Sequence, residues 1–341
     1  MLLPWSLYCS YGDRNLLAGQ YSSMQRWVEF LRRLAHSGRG RGRWFSKKLG
    51  KHENFLVDGG FHWGEWLRPG DGIPQILKAW AIPEVAVSTG YLANSSRLLS
   101  KIATLLGKDE DAEKYHSLWQ STRAAWRAAF IRSDGCIGKN RQDDYVRALA
   151  FELLEPDEIS GAVTRLVERI VAREYHLETG FLSTPLLLPI LAQHGHADIA
   201  YKLLLQTSNP SWLAQIDRGA TTVWETWEGY DPTGKAKMSH NHYAFGAVVS
   251  WLYEGIAGLS AVEPGYRRIR IAPCIGGGLT SAAASVKTPF GLARSAWRIE
   301  RGEVHLEVMV PPGSEAFVCL GDGRIEQVGS GDHQFVWSHS S

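Results

Sequence analysis

The segment YLANSSRLLSKIATLLGKDEDAEKYHSLWQSTRAAWRAAF, residues 91–130, decides the fold of this chain. Apolar residues recur at three- and four-residue spacing on both sides of Gly107, as they do in two successive amphipathic helices. Gly107 is placed to end the first helix, and Asp109 opens the second. The segment therefore predicts an αα-hairpin, which is a pair of antiparallel helices joined by a short turn.

The same helical pattern recurs through most of the chain. Residues 145–170 and 185–205 predict further hairpins, residues 21–34 predict a single helix, and residues 242–256 predict a last long helix. The total is about nine helical stretches joined by short turns. They share no strict sequence repeat, which argues against a consensus solenoid. We therefore expect residues 1–262 to form a toroid of helical hairpins.

After Gly265 the pattern changes to alternating polar and apolar residues. The stretches 266–273, 293–300 and 304–310 alternate in this way, and turns rich in glycine and proline separate them. This spacing is typical of a small antiparallel β-structure, most simply a sandwich. We therefore predict that residues 263–341 form a C-terminal β-sandwich domain.

The overall composition restricts the class of protein. Of the 341 residues, 44% are hydrophobic and 21% are charged, which is ordinary for a soluble globular protein. The formal net charge of +2 gives no reason to expect nucleic acid or a membrane as the main partner. We expect the one short basic run, residues 39–48, to be a solvated loop. The chain shows neither a signal peptide nor an apolar run of membrane length, so we expect a cytoplasmic protein.

Two residue types narrow the function further. The four cysteines are far apart and form no CxxC motif or zinc-type cluster, so we expect reduced, structural thiols and no metal site. Tryptophan is frequent, with 14 residues in the chain. Sugars present C–H faces that stack on aromatic rings, so clefts rich in tryptophan suit carbohydrates. Most of these side chains should nevertheless lie in the core, because burial of a large aromatic ring stabilises the fold.

The segment TTVWETWEGY, residues 221–230, is the densest candidate for a functional site. Glu225 lies between Trp224 and Trp227 in a segment without strong helical periodicity. A carboxylate walled by indoles is partly desolvated and suits a general base working near neutral pH. His242 follows nearby and could contact a sugar hydroxyl or orient Glu225. The alternative, which the spacing leaves open, is that Glu225 pairs with Arg218 and His242 caps a helix.

A second candidate is the segment DGGFHWGEWLRPG, residues 58–70. Its four glycines exclude a regular helix and favour a loop whose backbone approaches another group closely. Trp63 and Trp66 flank Glu65, which places an acid beside a stacking surface. We therefore expect this loop and residues 221–230 to line one aromatic, acidic pocket that contains Trp66 and Glu225.

Several blocks of this sequence resemble bacterial α-L-rhamnosidases, a family of inverting glycoside hydrolases. The most specific blocks are TTVWETWEGY and SHNHYAFGAVVSWLYEGIAGL. PWSLYCSYGDRNLLAGQYSSMQRWVEFL, WGEWL and HLETGFLSTPLLLPIL match upstream in the same order. The resemblance covers essentially the whole chain.

The resemblance implies an (α/α)₆ toroid followed by a small β-sandwich, in agreement with the periodicity. It also implies hydrolysis of terminal α-L-rhamnosyl residues with inversion and without a cofactor, so the expected partner is a rhamnose-containing carbohydrate. Glu225 matches the general base, His242 matches a residue that contacts the sugar, and Trp66 matches a wall of the rhamnose pocket. Glu65 stands where an aspartate is common in the family, and we include it with Trp224 among the expected sugar contacts.

One expected part of the family pattern is missing. Members carry a DCPQRE-like stretch, which includes the general acid, before the helix that contains PWSLY. No such stretch occurs in these 341 residues, and about nine helical stretches fall short of the roughly twelve that six hairpins need. We therefore expect an incomplete toroid without its general acid.

Two alternative functions stay open at this point. A helical-toroid enzyme with another sugar specificity fits the helices, although the TTVWE and NHYAFG motifs do not favour it. A catalytically inactive fragment or pseudoenzyme that only binds sugar, through Trp66, Glu225 and His242, fits the missing acid.

Overall fold

The computed structural model describes residues 1–37, 49–72 and 83–339. The basic segment 39–48, expected to be a solvated loop, lies outside the described residues. Within the described ranges, no helix combines the length and the apolar character needed to cross a bilayer. All four cysteines are free thiols.

The chain divides into two compact units. The first contains Gln20–Ala247 together with Met1, and the second contains Leu2–Gly19 and Val248–Ser341. The division groups residues 248–262 with the C-terminal part of the chain, whereas the sequence analysis groups them with the helices. The domain boundary itself stays a prediction.

The described residues before residue 244 are mostly helical. Residues 2–19 among them belong to the second unit, and the others belong to the first. The α-helices found in the described ranges before residue 244 are α1 (Leu2–Tyr11), α2 (Arg14–Ser37), α3 (Val85–Leu105), α4 (Asp109–Phe130), α5 (Gln142–Ala150), α6 (Pro156–Ala172), α7 (Thr184–Gln193), α8 (Ala197–Leu204) and α9 (Trp212–Asp217). A 3₁₀-helix occupies Gly50–Phe55. Helix α3 packs on α4, α5 on α6 and α7 on α8, so the three expected hairpins are confirmed.

The hairpin of α3 and α4 shows why these residues form the core. Leu99, Ile102 and Tyr115 are fully buried, and Trp126 is 1% exposed. The Trp126 indole N–H donates to the Ala86 carbonyl at 2.8 Å, which satisfies the one polar atom that the buried ring carries. The apolar stripe read from the sequence is therefore the surface along which the two helices pack.

The expectation of one long helix over residues 242–256 is wrong. The chain there forms three short pieces with different hydrogen-bond spacing, a 3₁₀-helix (Ala244–Val248), the single turn α10 (Val249–Trp251) and a π-helix (Leu252–Ile256). His242 is held outside any helix because its backbone N–H donates to the Val223 carbonyl, 2.8 Å away. A non-local hydrogen bond thus overrides the local helical pattern.

The second unit contains two four-stranded sheets. Their strands are β1 (Leu259–Ala261), β2 (Arg268–Ile271), β3 (Ser281–Thr288), β4 (Gly291–Glu300), β5 (Glu303–Val310), β6 (Glu315–Cys319), β7 (Ile325–Val328) and β8 (Gly331–Ser338). The strand orders are β1-β2-β6-β7 and β3-β4-β5-β8. All neighbouring pairs are antiparallel except β2 and β6, which run parallel. The expected β-sandwich is confirmed.

Alternation of buried and exposed residues builds the core of this sandwich. Val304, Leu306 and Val308 of β5 are all buried. Trp297 of β4 is also buried and pairs with Leu306 across the two strands. The Trp297 indole N–H donates to the Ile256 carbonyl at 2.8 Å. The alternation confirms the period of two read from the sequence, because one face of each strand packs inward.

The start of α5 depends on a buried carboxyl group. Asp144 Oδ2 accepts hydrogen bonds from the Lys139 and Arg141 backbone N–H groups at 2.9 and 3.3 Å. Burial, followed by the charge of neighbouring Asp143, raises the pKa of Asp144 to about 6. A carboxyl group whose folded pKa lies above its unfolded value loses stabilising free energy as pH rises between those two values.

Asp144→Asn should therefore remove a pH-dependent loss of stability. The free energy of unfolding of the variant, relative to the parent chain, should rise by about 1.5–3 kcal/mol between pH 4 and pH 7. The amide can still accept the two backbone hydrogen bonds, but it cannot ionise. The measurement is urea unfolding at several pH values, with the exposed Asp157→Asn as the matched control. If the difference in the free energy of unfolding between variant and parent is the same at all pH values, the raised pKa of Asp144 is contradicted.

Candidate functional site

Two segments without regular secondary structure carry the Glu225 and His242 side chains, and backbone hydrogen bonds hold the segments together. The Glu225 N–H donates to the Ser239 carbonyl at 2.9 Å, and the His242 N–H donates to the Val223 carbonyl at 2.8 Å. Each segment satisfies backbone groups of the other, so a stretch without helical periodicity is nevertheless ordered.

The Glu225 carboxylate is half-buried and has one oxygen fixed. Oε2 accepts a hydrogen bond of 3.0 Å from the Ser239 N–H, while Oε1 accepts none from the part of the chain that the structure describes. A carboxylate with one oriented oxygen and one open oxygen can receive a proton from a bound water molecule. The arrangement can therefore serve a general base at this position.

The two tryptophans that flank Glu225 belong to the core. Trp224 and Trp227 are 3% and 1% exposed, and their rings stack on His240 and Phe245 at centroid distances of 4.6 and 4.0 Å. The rings of Tyr230 and His240 lie against Trp224, whereas the side chain of Glu225 stays partly exposed. Neighbouring protein covers the Trp224 ring, which counts against the expected contact between Trp224 and the sugar; that contact stays a prediction.

One nitrogen of the His242 ring accepts a hydrogen bond, and the other has no hydrogen-bond partner among the residues that the structure describes. Nδ1 accepts a hydrogen bond of 3.2 Å from the Ala244 N–H, so a neutral ring carries its proton on Nε2. The ring lies 4.8 Å from the Phe181 ring and 5.2 Å from the nearly parallel Tyr243 ring. His242 thus caps the following 3₁₀-helix, as the alternative reading held, and still presents Nε2–H as a donor.

The loop that contains Trp66 is fixed by close backbone packing. The Trp66 carbonyl accepts a hydrogen bond of 2.9 Å from the Phe181 N–H. A Cβ atom on Gly180 would lie 2.3 Å from that same carbonyl oxygen, so only glycine permits the approach. Since the Phe181 ring also contacts His242, one short segment connects the Trp66 loop to the His242 segment.

A second connection joins the Trp66 loop to the Glu225 loop. The Gly70 N–H donates to Glu228 Oε1 at 3.0 Å, and the Lys237 ammonium group donates to Glu228 Oε2 at 3.1 Å. These contacts bring residues 58–72 and 221–230 side by side. The pocket expected between Trp66 and Glu225 stays a prediction that these contacts support.

Glu65 belongs to the loop that contains Trp66, and both oxygens of its buried carboxylate accept hydrogen bonds. Oε1 accepts hydrogen bonds from the Gly180 N–H at 3.0 Å and the Ser183 N–H at 2.8 Å. Oε2 accepts from the Ser183 hydroxyl at 2.8 Å and from the Arg147 guanidinium. The side chains of Glu65 and Arg147 are 0% and 2% exposed, so the pair is buried in the interior. We call Glu65, Arg147 and Ser183 the Glu65 clamp.

Further charged residues extend the Glu65 clamp. Asp143 accepts from Arg147 and from Arg68, each at 2.9 Å, and Arg68 also donates to Glu84 at 3.0 Å. Burial alone would raise the pKa of Asp143, but the charges of Arg68 and Arg147 hold it below its ordinary value. Burial raises the pKa of Glu65 against the opposing charge of Arg147. The network is therefore a structural one whose charges are paired inside the protein.

This placement counts against the expected contact between Glu65 and the sugar, which stays a prediction. Residue Glu65 is 2% exposed, and its carboxylate has four donors within the protein. Turning it toward a ligand would leave Arg147 as a buried charge with a missing partner, which costs several kcal/mol. Glu65 instead anchors the loop from which Trp66 projects.

Sequence reasoning missed three residues that organise the site. Asp143 and Arg147 carried a usable signal, because four-residue spacing places opposite charges on one face of a helix. For Phe181 there was no such signal, apart from its position in a block that resembles the family. Its contacts join residues that are distant in sequence, which no local pattern shows. These residues position the loops, whereas Glu225, His242 and Trp66 are the partly exposed candidates.

The fold and this site define a class of protein, a helical-hairpin domain whose loops present a carboxylate beside aromatic rings, followed by a β-sandwich. The model of the bacterial alpha-L-rhamnosidase 6 hairpin glycosidase domain matches residues 1–256. The model of the bacterial alpha-L-rhamnosidase C-terminal domain matches residues 258–334. This chain belongs to the bacterial alpha-L-rhamnosidase family, and its helical part is of the (α/α)₆ type.

Named relatives agree with this assignment. The chain is 36% identical to an alpha-L-rhamnosidase of Streptomyces avermitilis and to one of Formosa agariphila, with 98% of this chain covered in each case. The crystal structure of the Streptomyces avermitilis enzyme complexed with L-rhamnose matches with a TM-score of 0.85 and 34% identity over 98% of this chain. The Aspergillus terreus enzyme matches with a TM-score of 0.84, also at 34% identity over 98% of this chain.

The chain is much shorter than these relatives. It covers 32% of the Streptomyces avermitilis protein and 35% of the Formosa agariphila protein. It likewise covers 32% and 38% of the chains in the two solved structures. The chain thus spans about a third of the length of the proteins that it matches.

Replacing Arg147 should destabilise the fold strongly. Arg147→Lys keeps the charge but cannot bond Glu65, Ser183 and Asp143 with one planar group, so we expect a loss of about 2–4 kcal/mol. The matched control is Arg127→Lys. Arg127 also pairs with two carboxylates, at 2.8 and 2.7 Å, but its side chain is 27% exposed.

The measurement is the free energy of unfolding of both variants in urea. The control should lose about 1 kcal/mol or less, because partly exposed ion pairs are screened by water. Equal losses in the two variants would show that burial of the Glu65 clamp has no special role.

Proposed function

We propose that this chain contributes the base side of an active site that hydrolyses terminal α-L-rhamnosyl residues from rhamnosides with inversion. The observation that carries the proposal is the half-buried Glu225 carboxylate, with one oxygen held by Ser239 and the other open. Family membership supports it, as does a similar structure that was solved with L-rhamnose.

In the proposed reaction, a water oxygen attacks the anomeric carbon from the face opposite the leaving oxygen. The open oxygen of Glu225 takes one proton from that water as the new C–O bond forms. The bond to the leaving oxygen breaks with both electrons going to that oxygen, which takes a proton from a general acid. Attack from the opposite face inverts the anomeric configuration.

His242 and Trp66 have binding roles in this proposal. The Nε2–H of His242 donates a hydrogen bond to a sugar hydroxyl, because Nδ1 is already occupied by the Ala244 N–H. The partly exposed Trp66 ring packs against an apolar face of the sugar. These contacts hold the anomeric carbon near Glu225 and do not themselves transfer protons.

The general acid is not assigned within this chain, whose 341 residues contain no DCPQRE-like stretch. A positioned acid contributes about 10²–10⁴-fold when the leaving group is a poor one. A dinitrophenolate leaves without protonation, so a dinitrophenyl rhamnoside reports on the base side alone. This substrate separates the role of Glu225 from that of the acid.

Glu225→Gln should lower the turnover of dinitrophenyl α-L-rhamnoside by about 10²–10⁴-fold and leave the Kd for L-rhamnose nearly unchanged. The amide keeps the size of the side chain and can accept from the Ser239 N–H, but it cannot take a proton from water. The measurements are dinitrophenolate release and calorimetric titration with L-rhamnose. Glu113→Gln, at an exposed carboxylate on α4, is the control.

Azide provides a second test of the base assignment. In Glu225→Ala, azide should fill the vacated space and attack the anomeric carbon without needing a base, which restores turnover and gives a β-L-rhamnosyl azide. An α-linked product, or unchanged turnover in Glu225→Gln, would remove Glu225 as the base. L-rhamnose binding without hydrolysis in the parent chain would favour the sugar-binding alternative.

A further inference from the structure

The Phe181 side chain contacts both the aromatic core and the His242 ring. Its ring centroid lies 4.8 Å from that of His242, with an interplanar angle of 31°. It also meets the Phe245 ring edge-on, at 5.1 Å and 84°. Phe245 is fully buried and stacks on Trp227 at 4.0 Å. Aromatic rings in such contacts attract each other beyond the gain from burial alone, so the core supports the Phe181 ring.

The backbone around Phe181 is held by the loop that contains Trp66. The Phe181 N–H donates to the Trp66 carbonyl at 2.9 Å, and the preceding Gly180 N–H donates to Glu65 Oε1 at 3.0 Å. The Ser183 N–H and hydroxyl donate to the same carboxylate, each at 2.8 Å. Hydrogen bonds to a buried charged group are strong, so Phe181 has little freedom to shift relative to Trp66.

The His242 ring makes one hydrogen bond to the residues that the structure describes. Its Nδ1 accepts from the Ala244 N–H at 3.2 Å, which is the long end of the usual range. The backbone N–H of His242 donates to the Val223 carbonyl, but that bond leaves the side-chain torsions free. The torsion that turns an imidazole ring has broad minima. One long hydrogen bond is therefore a weak constraint on the ring, and packing must add to it.

Two aromatic rings pack on His242, and they differ in how firmly they are held. The Tyr243 ring lies nearly parallel to the imidazole at 5.2 Å, but Tyr243 is 86% exposed. The Phe181 ring is partly buried and rests on Phe245. A ring that is mostly in solvent cannot fix its neighbour, so Phe181 is the contact that can restrict the His242 ring.

We propose that Phe181 is a positioning residue that holds the His242 ring in the orientation and tautomer needed to donate to the sugar. The proposal rests on the proposed function, in which a sugar hydroxyl accepts from the Nε2–H of His242. While Nδ1 accepts from the Ala244 N–H, a neutral ring carries its proton on Nε2. A ring that turns away from Ala244 can carry the proton on either nitrogen, so fewer molecules present the donor.

The same residue relates this donor to the apolar wall of the proposed pocket. Phe181 bonds the Trp66 carbonyl through its backbone and contacts His242 through its ring. A sugar that packs on Trp66 and accepts from His242 needs both groups in one arrangement. If that arrangement exists before binding, less conformational entropy is lost when the sugar binds. The expected consequence is a higher affinity for the rhamnosyl group, without a proton-transfer role for Phe181.

A double-mutant cycle with L-rhamnose as the ligand tests whether Phe181 acts through His242. Phe181→Leu keeps an apolar side chain but removes the ring, so the Kd for L-rhamnose should rise by about five- to tenfold. In the His242→Ala background the same substitution should change the Kd by less than about twofold, because the donor that Phe181 holds is gone. Phe181→Tyr keeps the ring and should bind within about twofold of the parent chain. The measurement is calorimetric titration.

The His242 ring can also be followed without a ligand, by nuclear magnetic resonance of isotope-labelled histidine nitrogens. At mildly alkaline pH, where an imidazole is neutral, the parent chain should show Nε2 protonated and Nδ1 accepting. Phe181→Leu should shift both signals toward a mixture of tautomers, and the signals are assigned by their loss in His242→Ala. Phe130→Leu is the matched control. It removes another buried ring, 5.5 Å from that of Trp126, and should change neither the His242 signals nor the Kd.

The outcomes separate the positioning role from the proposed function. Equal weakening of L-rhamnose binding in both backgrounds, or no weakening in either, overturns the proposal, as do unchanged His242 signals in Phe181→Leu. If Phe181→Leu does not fold, Phe181→Met, which also lacks a ring, takes its place in both measurements. Failure of L-rhamnose to bind the parent chain overturns the proposed function, and the nitrogen signals then still decide whether Phe181 sets the tautomer of His242.

Discussion

The Glu65 carboxylate, enclosed by Arg147, Ser183 and the Gly180 N–H, is the constraint on which the site depends. A buried carboxylate and a buried guanidinium are tolerated only when each is paired and fully hydrogen-bonded. Meeting that condition fixes the Trp66 loop, helix α5 and the segment before α7 relative to one another, because each supplies one partner. Through the Phe181 contacts, the same constraint reaches the His242 segment.

The two parts of the candidate site are ordered by different physical means. Buried charges hold the loop with Trp66, whereas backbone pairing with Ser239 holds the segment with Glu225. Among the described residues, Glu225 therefore stays outside the ion-pair network, and no arginine pairs with its second oxygen. A general base needs that freedom, since a guanidinium partner would stabilise the charged form and lower its tendency to accept a proton.

The aromatic residues of the chain divide in the same way. Trp224, Trp227 and Trp126 complete the core, and each is at most 3% exposed. Trp63 and Phe61 stay half in solvent although they lie on a loop with fixed backbone. The first group stabilises the fold through burial, whereas the second group keeps about half of its surface in solvent.

The sequence by itself determined the hairpins, the change to β-structure and the family motifs with Glu225, His242 and Trp66. Helical and strand periodicity are local properties, so a single sequence contains them. Only the tertiary structure shows that Glu65 and Trp224 are buried, and that residues 242–256 do not form the one long helix expected there. The physical reason is separation along the chain. Glu65 meets Arg147 across 82 positions and Ser183 across 118. No local pattern shows which distant donor a carboxylate finds, or which side chains of an irregular segment become buried.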